Sequence, residues 1–109
     1  MPKITPTPSE KRTEPYWREL NKVIDPEIGM GIVDLGLVYQ VKIDKKQNCK
    51  IIMTLTTPTC PVGPMILQQV DDRMRMYRDI NNIEVELVWD PAWTNKMIDE
   101  ELREMMFGF

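Results

Sequence analysis

Cys60 is the residue whose type and position most strongly suggest chemistry. It follows an apolar alternating segment and precedes a segment with helical periodicity, and Pro61 suits a first helical position. We therefore predict that Cys60 caps a helix, whose positive N-terminal end lowers the pKa of a thiol. A thiolate binds soft metals or attacks electrophiles, whereas a cysteine at such a position also occurs as a simple capping residue. Thr56, Thr57 and Thr59 place hydroxyl groups nearby.

Three carboxylates form a second candidate group. Asp25, Glu27 and Asp34 lie in a stretch that is both apolar and rich in glycine, residues 25–36. We expect this stretch to pack as an irregular loop at the sheet end that carries Cys60. The alternative is local: Asp25 accepts backbone hydrogen bonds at a helix end, and Asp34 caps a turn.

The composition excludes several kinds of site. The chain contains no histidine, so Ser-His-Asp and Cys-His catalysis and histidine-ligated zinc are excluded within it. The net charge of −3 argues against non-specific nucleic-acid binding. The second cysteine, Cys49, falls on the inward side of a predicted strand and is expected to act as a small hydrophobic residue.

Periodicity predicts the elements that must position these groups. The fold class expected is α+β, a two-layer α/β sandwich of order α-β-β-α-β-α with a three-stranded mixed sheet covered by helices on one face. The strand, helix and strand after residue 49 form a crossover unit. The predicted segments are a helix over 15–24, strands over 37–44 and 49–56, a helix over 61–78, a strand over 83–89 and a last helix capped by Thr94.

The length of 109 residues indicates one domain. Residues 1–13 are rich in proline and threonine and predict a flexible tail, and residues 14–109 form the domain. No apolar run reaches the roughly 18 residues that cross a bilayer, and no signal-peptide pattern begins the chain. These features predict a cytoplasmic protein that binds no membrane.

Three segments together resemble the family of iron–sulfur cluster assembly proteins of the SufT and PaaD type. They are VIDPEIGMGIVDLGLVY, MTLTTPTCPVGPMI and VWDPAWTNKMIDEELRE, and they extend over nearly the whole predicted domain. The resemblance implies a role in the maturation of iron–sulfur proteins. It places the family's reactive cysteine at Cys60, its acidic pair at Asp25 and Glu27, its DLG aspartate at Asp34, and its threonines at Thr56 and Thr57.

The resemblance also implies a cargo and partners. The cargo is a transient iron–sulfur cluster or iron, and the partners are apo iron–sulfur client proteins and cluster carrier or scaffold proteins. A cluster is usually held by four thiolates, so Cys60 needs ligands from a homodimer, a small thiol or a partner. The PaaD members' cysteine-rich C-terminal extension is missing after Phe109, which favours a stand-alone factor.

Several interpretations stay open at this point. The protein either carries a cluster through Cys60 or holds none and presents an apoprotein to a carrier. In both cases we expect an assembly factor, not a turnover enzyme. The alternatives are a non-catalytic PaaD-like subunit of a multicomponent oxygenase pathway and an enzyme with Cys60 as its nucleophile.

Overall fold

The structure is a computed structural model that describes residues 4–56 and 61–107. Thr57 and Cys60 therefore lie outside the described residues. The helices and strands are α1 (Pro15–Leu20), β1 (Ile24–Asp25), β2 (Met30–Gly31), β3 (Val38–Ile43), β4 (Asn48–Met53), α2 (Gly63–Tyr77), β5 (Asn82–Leu87) and α3 (Glu100–Phe107). Short 3-10 turns at Ser9–Lys11 and Asn95–Met97 precede the first and last helices.

The main sheet confirms the predicted α+β fold class. Its strands lie in the order β3-β4-β5, with β3 antiparallel and β5 parallel to β4. The parallel pair is joined through α2, as the predicted crossover requires. The small hairpin formed by β1 and β2 was not predicted, because strands of two residues are too short to show an alternating pattern.

The hydrophobic core lies between the sheet and helices α1 and α2. Cys49, Ile51 and Met53 alternate along β4 and are buried against residues of both helices. The helical contribution comes from one stripe of each helix, as a period of 3.6 residues requires. The buried residues on those stripes are Trp17, Leu20, Ile66, Val70 and Met74.

A β-bulge interrupts the alternation of side chains along β3. The register shifts between Val38 and Gln40, so Val38 instead of Tyr39 belongs to the main core. An extra residue in one strand moves the following side chains to the opposite face. Tyr39 is fully buried outside this core, and its hydroxyl donates to the Pro91 carbonyl at 2.7 Å.

Several element ends also differ from the prediction; β4, for example, ends at Met53 and not at residue 56. Helix α1, predicted over 15–24, ends at Leu20, and Ile24 is 45% exposed. Strand β5, predicted over 83–89, ends at Leu87, and Trp89 is 42% exposed. Thr94 precedes a 3-10 turn, and α3 begins only at Glu100. Alternation and helical stripes locate an element better than they locate its ends.

The N-terminal segment contacts the outer edge of β3. Thr7 donates its backbone N–H and its hydroxyl to the Tyr39 carbonyl, both at 2.8 Å, and the Gln40 side chain donates to the Thr5 carbonyl. The predicted mobility of residues 1–13 stays a prediction. Among residues 4–56 and 61–107, no helix has the length and apolar character needed to cross a membrane.

Candidate functional site

The hairpin of residues 24–31, here called the acidic hairpin, carries Asp25 and Glu27. Ile24 pairs with Gly31 and Asp25 with Met30, which leaves residues 26–29 as the loop. Asp25 is 1% exposed, and its Oδ1 accepts the Glu27 N–H at 2.9 Å. Its carbonyl oxygen accepts the N–H groups of residues 28 and 29. Asp25 thus closes its own loop, whereas Glu27 is exposed at the tip.

A series of backbone hydrogen bonds ties the acidic hairpin to one end of the main sheet. Ile32 donates to Val23 at 2.9 Å, and Leu37 donates to Ile32 at 3.0 Å. Thr54 then donates to Leu37 at 2.8 Å, just beyond the last residue of β4. The half-buried Thr56 follows two residues later. The hairpin therefore lies at the end of the sheet from which the chain runs towards Cys60.

The residues on either side of the segment 57–60 are in close contact. Leu55, after β4, and Gly63, the first residue of α2, are both buried. A Cβ placed on Gly63 would lie 2.9 Å from Leu55 Cδ1. The absence of a side chain at position 63 therefore lets the helix start approach the strand end.

Helix α2 begins later than the sequence predicted. Its N-cap residue is Val62, whose φ and ψ are −100° and 6°, and Pro64 takes the early helical position assigned to Pro61. The prediction that Cys60 is the cap is therefore wrong, because Cys60 precedes the cap by two residues. The two prolines explain the error, since each is compatible with a first helical turn.

Asp34 is held by a different set of contacts. It lies in the turn of residues 32–37, here called the Asp34 turn, and its Oδ2 accepts the Asn21 side-chain N–H at 2.9 Å. Asn21 Oδ1 accepts the backbone N–H groups of Val33 and Asp34. The Asp34 carbonyl accepts the Asp99 N–H at 2.8 Å. The Asp34 carboxylate therefore joins the end of α1 to this turn.

The sequence did not reveal the residues that surround Asp34, which are Asn21, Arg12 and Asp99. All three line a cleft of about 190 Å³ together with Asp34. Burial lowers the pKa of Arg12, while the charges of Asp99 and Asp34 oppose that change. Gly31 was the one indication in the sequence that another residue lies close by. A Cβ at position 31 would collide with Asn21, so only glycine fits there. A glycine in the sequence can indicate that another residue packs against the backbone at that point, but it does not show which residue this is.

Cys49 occupies the environment expected for it. Its side chain is 3% exposed on the core side of β4. Burial raises the pKa of its thiol to about 11, an effect that the charge of Arg78 partly opposes. The thiol is therefore protonated near neutral pH and is a poor ligand and nucleophile.

The donor groups of the described residues do not converge into a metal site. Within residues 4–56 and 61–107, no three cysteine, aspartate or glutamate side chains lie close enough to hold one ion together. Asp25, Glu27 and Asp34 accordingly do not form such a site by themselves. Their position relative to Cys60 stays a prediction.

The fold and the sequence together define a small α+β domain of the iron–sulfur assembly class. Residues 17–87 match the family described as iron-sulfur cluster assembly protein, and the chain belongs to this family. The matched span includes the acidic hairpin, the Asp34 turn and Cys60.

Relatives and solved structures agree with this membership. The chain is 47% identical over 76 residues to the Fe-S protein maturation auxiliary factor SufT of Staphylococcus aureus (strain USA300), covering 70% of this chain and 86% of that protein. It is 43% identical over 75 residues to the Fe-S protein maturation auxiliary factor YitW of Bacillus subtilis (strain 168), covering 69% and 74%. A crystal structure of a domain of unknown function from Bacillus anthracis superposes with a TM-score of 0.78 at 36% identity, covering 85% and 88%.

Proposed function

We propose that this protein is an Fe-S protein maturation factor that holds a cluster or iron transiently through Cys60 and passes it to an apoprotein. The observation that carries the proposal is the position of the acidic hairpin, which hydrogen bonds tie to the sheet end that leads to Cys60. The maturation role named for its relatives supports the same conclusion.

The ligand count explains why the cargo would be held only transiently. Clusters are usually bound by four thiolates, and the chain has two cysteines and no histidine. Since Cys49 is buried and protonated, Cys60 is the thiol left to act as a ligand. The remaining ligands then come from a second copy, a small thiol or a client protein, and incomplete ligation favours release.

The two acidic residues of the hairpin would have separate roles. Asp25 is buried and accepts the Glu27 N–H, so it fixes the shape of the loop. Glu27 is exposed at the loop tip, where its oxygens can reach a cargo or a partner. We therefore assign the weaker oxygen ligand to Glu27 and the positioning role to Asp25.

Anaerobic reconstitution with iron and sulfide tests the role of Cys60. We compare the wild type with Cys60→Ser and with Cys49→Ala as the matched cysteine control, because alanine leaves no buried hydroxyl in the core. The expected result is loss of visible cluster absorption and of transfer to an apoprotein in Cys60→Ser only. Equal absorption in all three proteins would refute the ligand role.

The adaptor alternative gives a different pattern in cells. An adaptor without cargo would show no reconstituted cluster in any variant, yet Cys60→Ser would still fail to support activation of iron–sulfur enzymes. A nucleophilic enzyme would instead show stoichiometric labelling of Cys60 by an electrophile, followed by release when substrate is added. We propose that no such turnover takes place.

A further inference from the structure

A cleft separates the N-terminal segment from the start of α3, and the proposed function makes no use of it. Its volume is about 290 Å³, roughly ten times the volume of about 30 Å³ that one water molecule occupies in the liquid. On one side it is lined by Pro6, Thr7, Pro8 and Arg12, and on the other by residues 96–100 and Arg103. The charged residues among them are Arg12, Lys96, Asp99, Glu100 and Arg103.

Arg103 is only partly satisfied by its protein neighbours. Its Nη1 donates to the Lys96 carbonyl at 3.2 Å. Its Nε is enclosed and has no hydrogen-bond partner among residues 4–56 and 61–107. Because Nε is shielded from solvent, bulk water does not supply the missing acceptor. Enclosed donors without a partner are rare in folded proteins and call for an explanation.

Arg12 is fixed on the opposite wall. Its Nε donates to the Thr7 carbonyl at 3.0 Å, and its Nη1 donates to the Val33 carbonyl at 3.2 Å. The guanidinium keeps its charge despite the lowering of its pKa by burial, since arginine stays protonated in proteins. Its position is thus set before any ligand arrives.

Cationic side chains outnumber anionic ones in the lining of the cleft, although the chain as a whole is negative. Arg12, Lys96 and Arg103 face two carboxylates, Asp99 and Glu100, in a chain of net charge −3. Asp99 already accepts the Glu101 N–H at 3.2 Å. The charges of Asp99, Asp34 and Glu10 act on Arg12, so Lys96 and Arg103 are the less neutralised cations of the cleft. Lys96 is exposed, so its ammonium group is available at the mouth of the cleft.

We propose that this cleft binds a small oxyanion, a phosphate or a carboxylate group, between Arg103, Lys96 and Arg12. A guanidinium offers planar donors that match the oxygens of either group, and Lys96 adds a point charge. The anion draws the Arg103 guanidinium into the cleft and so supplies the acceptor that Nε lacks. The bound anion then links residues 6–12 to the start of α3.

Binding of inorganic phosphate to the full chain tests this proposal. Titrations at constant pH and ionic strength, with chloride as the balancing salt, separate binding from screening. The readouts are the rise in Tm and the NMR signal of the Arg103 Nε–H. We expect saturable binding of phosphate or acetate, and the anion that binds more tightly identifies the source of the oxyanion group.

Three variants distinguish this site from general charge effects. Lys96→Gln and Arg103→Gln should weaken binding about tenfold or more, the effect of losing one charge-assisted contact. Lys96→Gln removes an exposed group and keeps the test valid if Arg103→Gln folds poorly. Arg78→Gln, the matched charge control on another surface, should bind like the wild type. Equal binding by all four proteins, or no saturable binding of either anion, overturns the proposal.

Discussion

The acidic hairpin and the Asp34 turn come from one glycine-rich stretch of sequence, yet the fold uses their carboxylates differently. In the hairpin, Asp25 bonds to its own loop and Glu27 is exposed. In the turn, the Asp34 carboxylate accepts from the Asn21 side chain beyond α1, and the Asp34 backbone carbonyl accepts from the Asp99 N–H before α3. The comparison shows that carboxylates from one stretch of sequence can differ in their hydrogen-bond partners. One bonds within its own loop, and another bonds to a different element of the fold.

The largest expected effect on stability is that of alanine substitution at the two glycines with positive φ. Gly36 in the turn has φ +80°, and a Cβ there would overlap the Met97 carbonyl. Gly29 in the hairpin has φ +84° and open space around its Cβ position. Gly36→Ala should lower the free energy of unfolding by about 2–5 kcal/mol, and Gly29→Ala by about 1–2 kcal/mol, the strain alone. Urea denaturation measures both, and equal losses would remove the contrast between the two regions.

The next largest effect is expected at Asn21. Asn21→Ala removes the acceptor of two backbone N–H groups and the donor to Asp34, which should cost about 2–3 kcal/mol. Asn95→Ala, an exposed asparagine, is the control and should change stability by less than about 0.5 kcal/mol. A double-mutant cycle with Asp34→Ala should show a coupling above about 0.5 kcal/mol. If the two losses of stability were strictly additive, the hydrogen bond between Asp34 and Asn21 would not contribute to stability.

Two substitutions at Asp25 separate its hydrogen bond from its charge. Asp25→Ala removes the acceptor of the Glu27 N–H and should cost about 1–3 kcal/mol. Asp25→Asn keeps a side-chain oxygen and should retain both most of the stability and the transfer of cluster to an apoprotein. A stable Asp25→Asn protein that transfers no cluster would show that the charge itself is needed.

The smallest effect on stability, with the clearest effect on function, is expected at Glu27. Glu27→Gln alters an exposed side chain and should change the free energy of unfolding by less than about 0.5 kcal/mol. Cluster retention in the reconstituted protein should fall several-fold, because one oxygen ligand loses its charge. Glu104→Gln is the matched exposed control. Identical release rates in both variants would count against a ligand role for Glu27.

The main sheet and its crossover helix could be predicted because their side chains follow simple periods. Cys49, Ile51 and Met53 alternate along β4, and Ile66, Val70 and Met74 recur along α2. The bulge at Tyr39 and the two-residue strands of the acidic hairpin could not be predicted in this way. The bulge depends on the pairing of β3 with β4, whereas strands of two residues are too short to show an alternating pattern.

The sequence indicated which residues could form the site, but it predicted few of their contacts. The sequence identified Asp25, Glu27 and Asp34, and it separated Cys49 from Cys60 by pattern. It did not reveal that Asn21 holds Asp34, because a hydrogen bond between residues 13 apart has no periodic signature. The start of α2 was also misplaced, since Pro61 and Pro64 both suit an early helical position.

The contact of Thr7 with the Tyr39 carbonyl has a consequence for shortened forms of the chain. Residues 5–7 shield the outer side of β3, the kind of position where sheets of separate molecules join. A chain beginning at residue 13 would bare this strand and should self-associate as its concentration rises. The leading residues would then protect the monomer from aggregation, independently of any part in iron–sulfur chemistry.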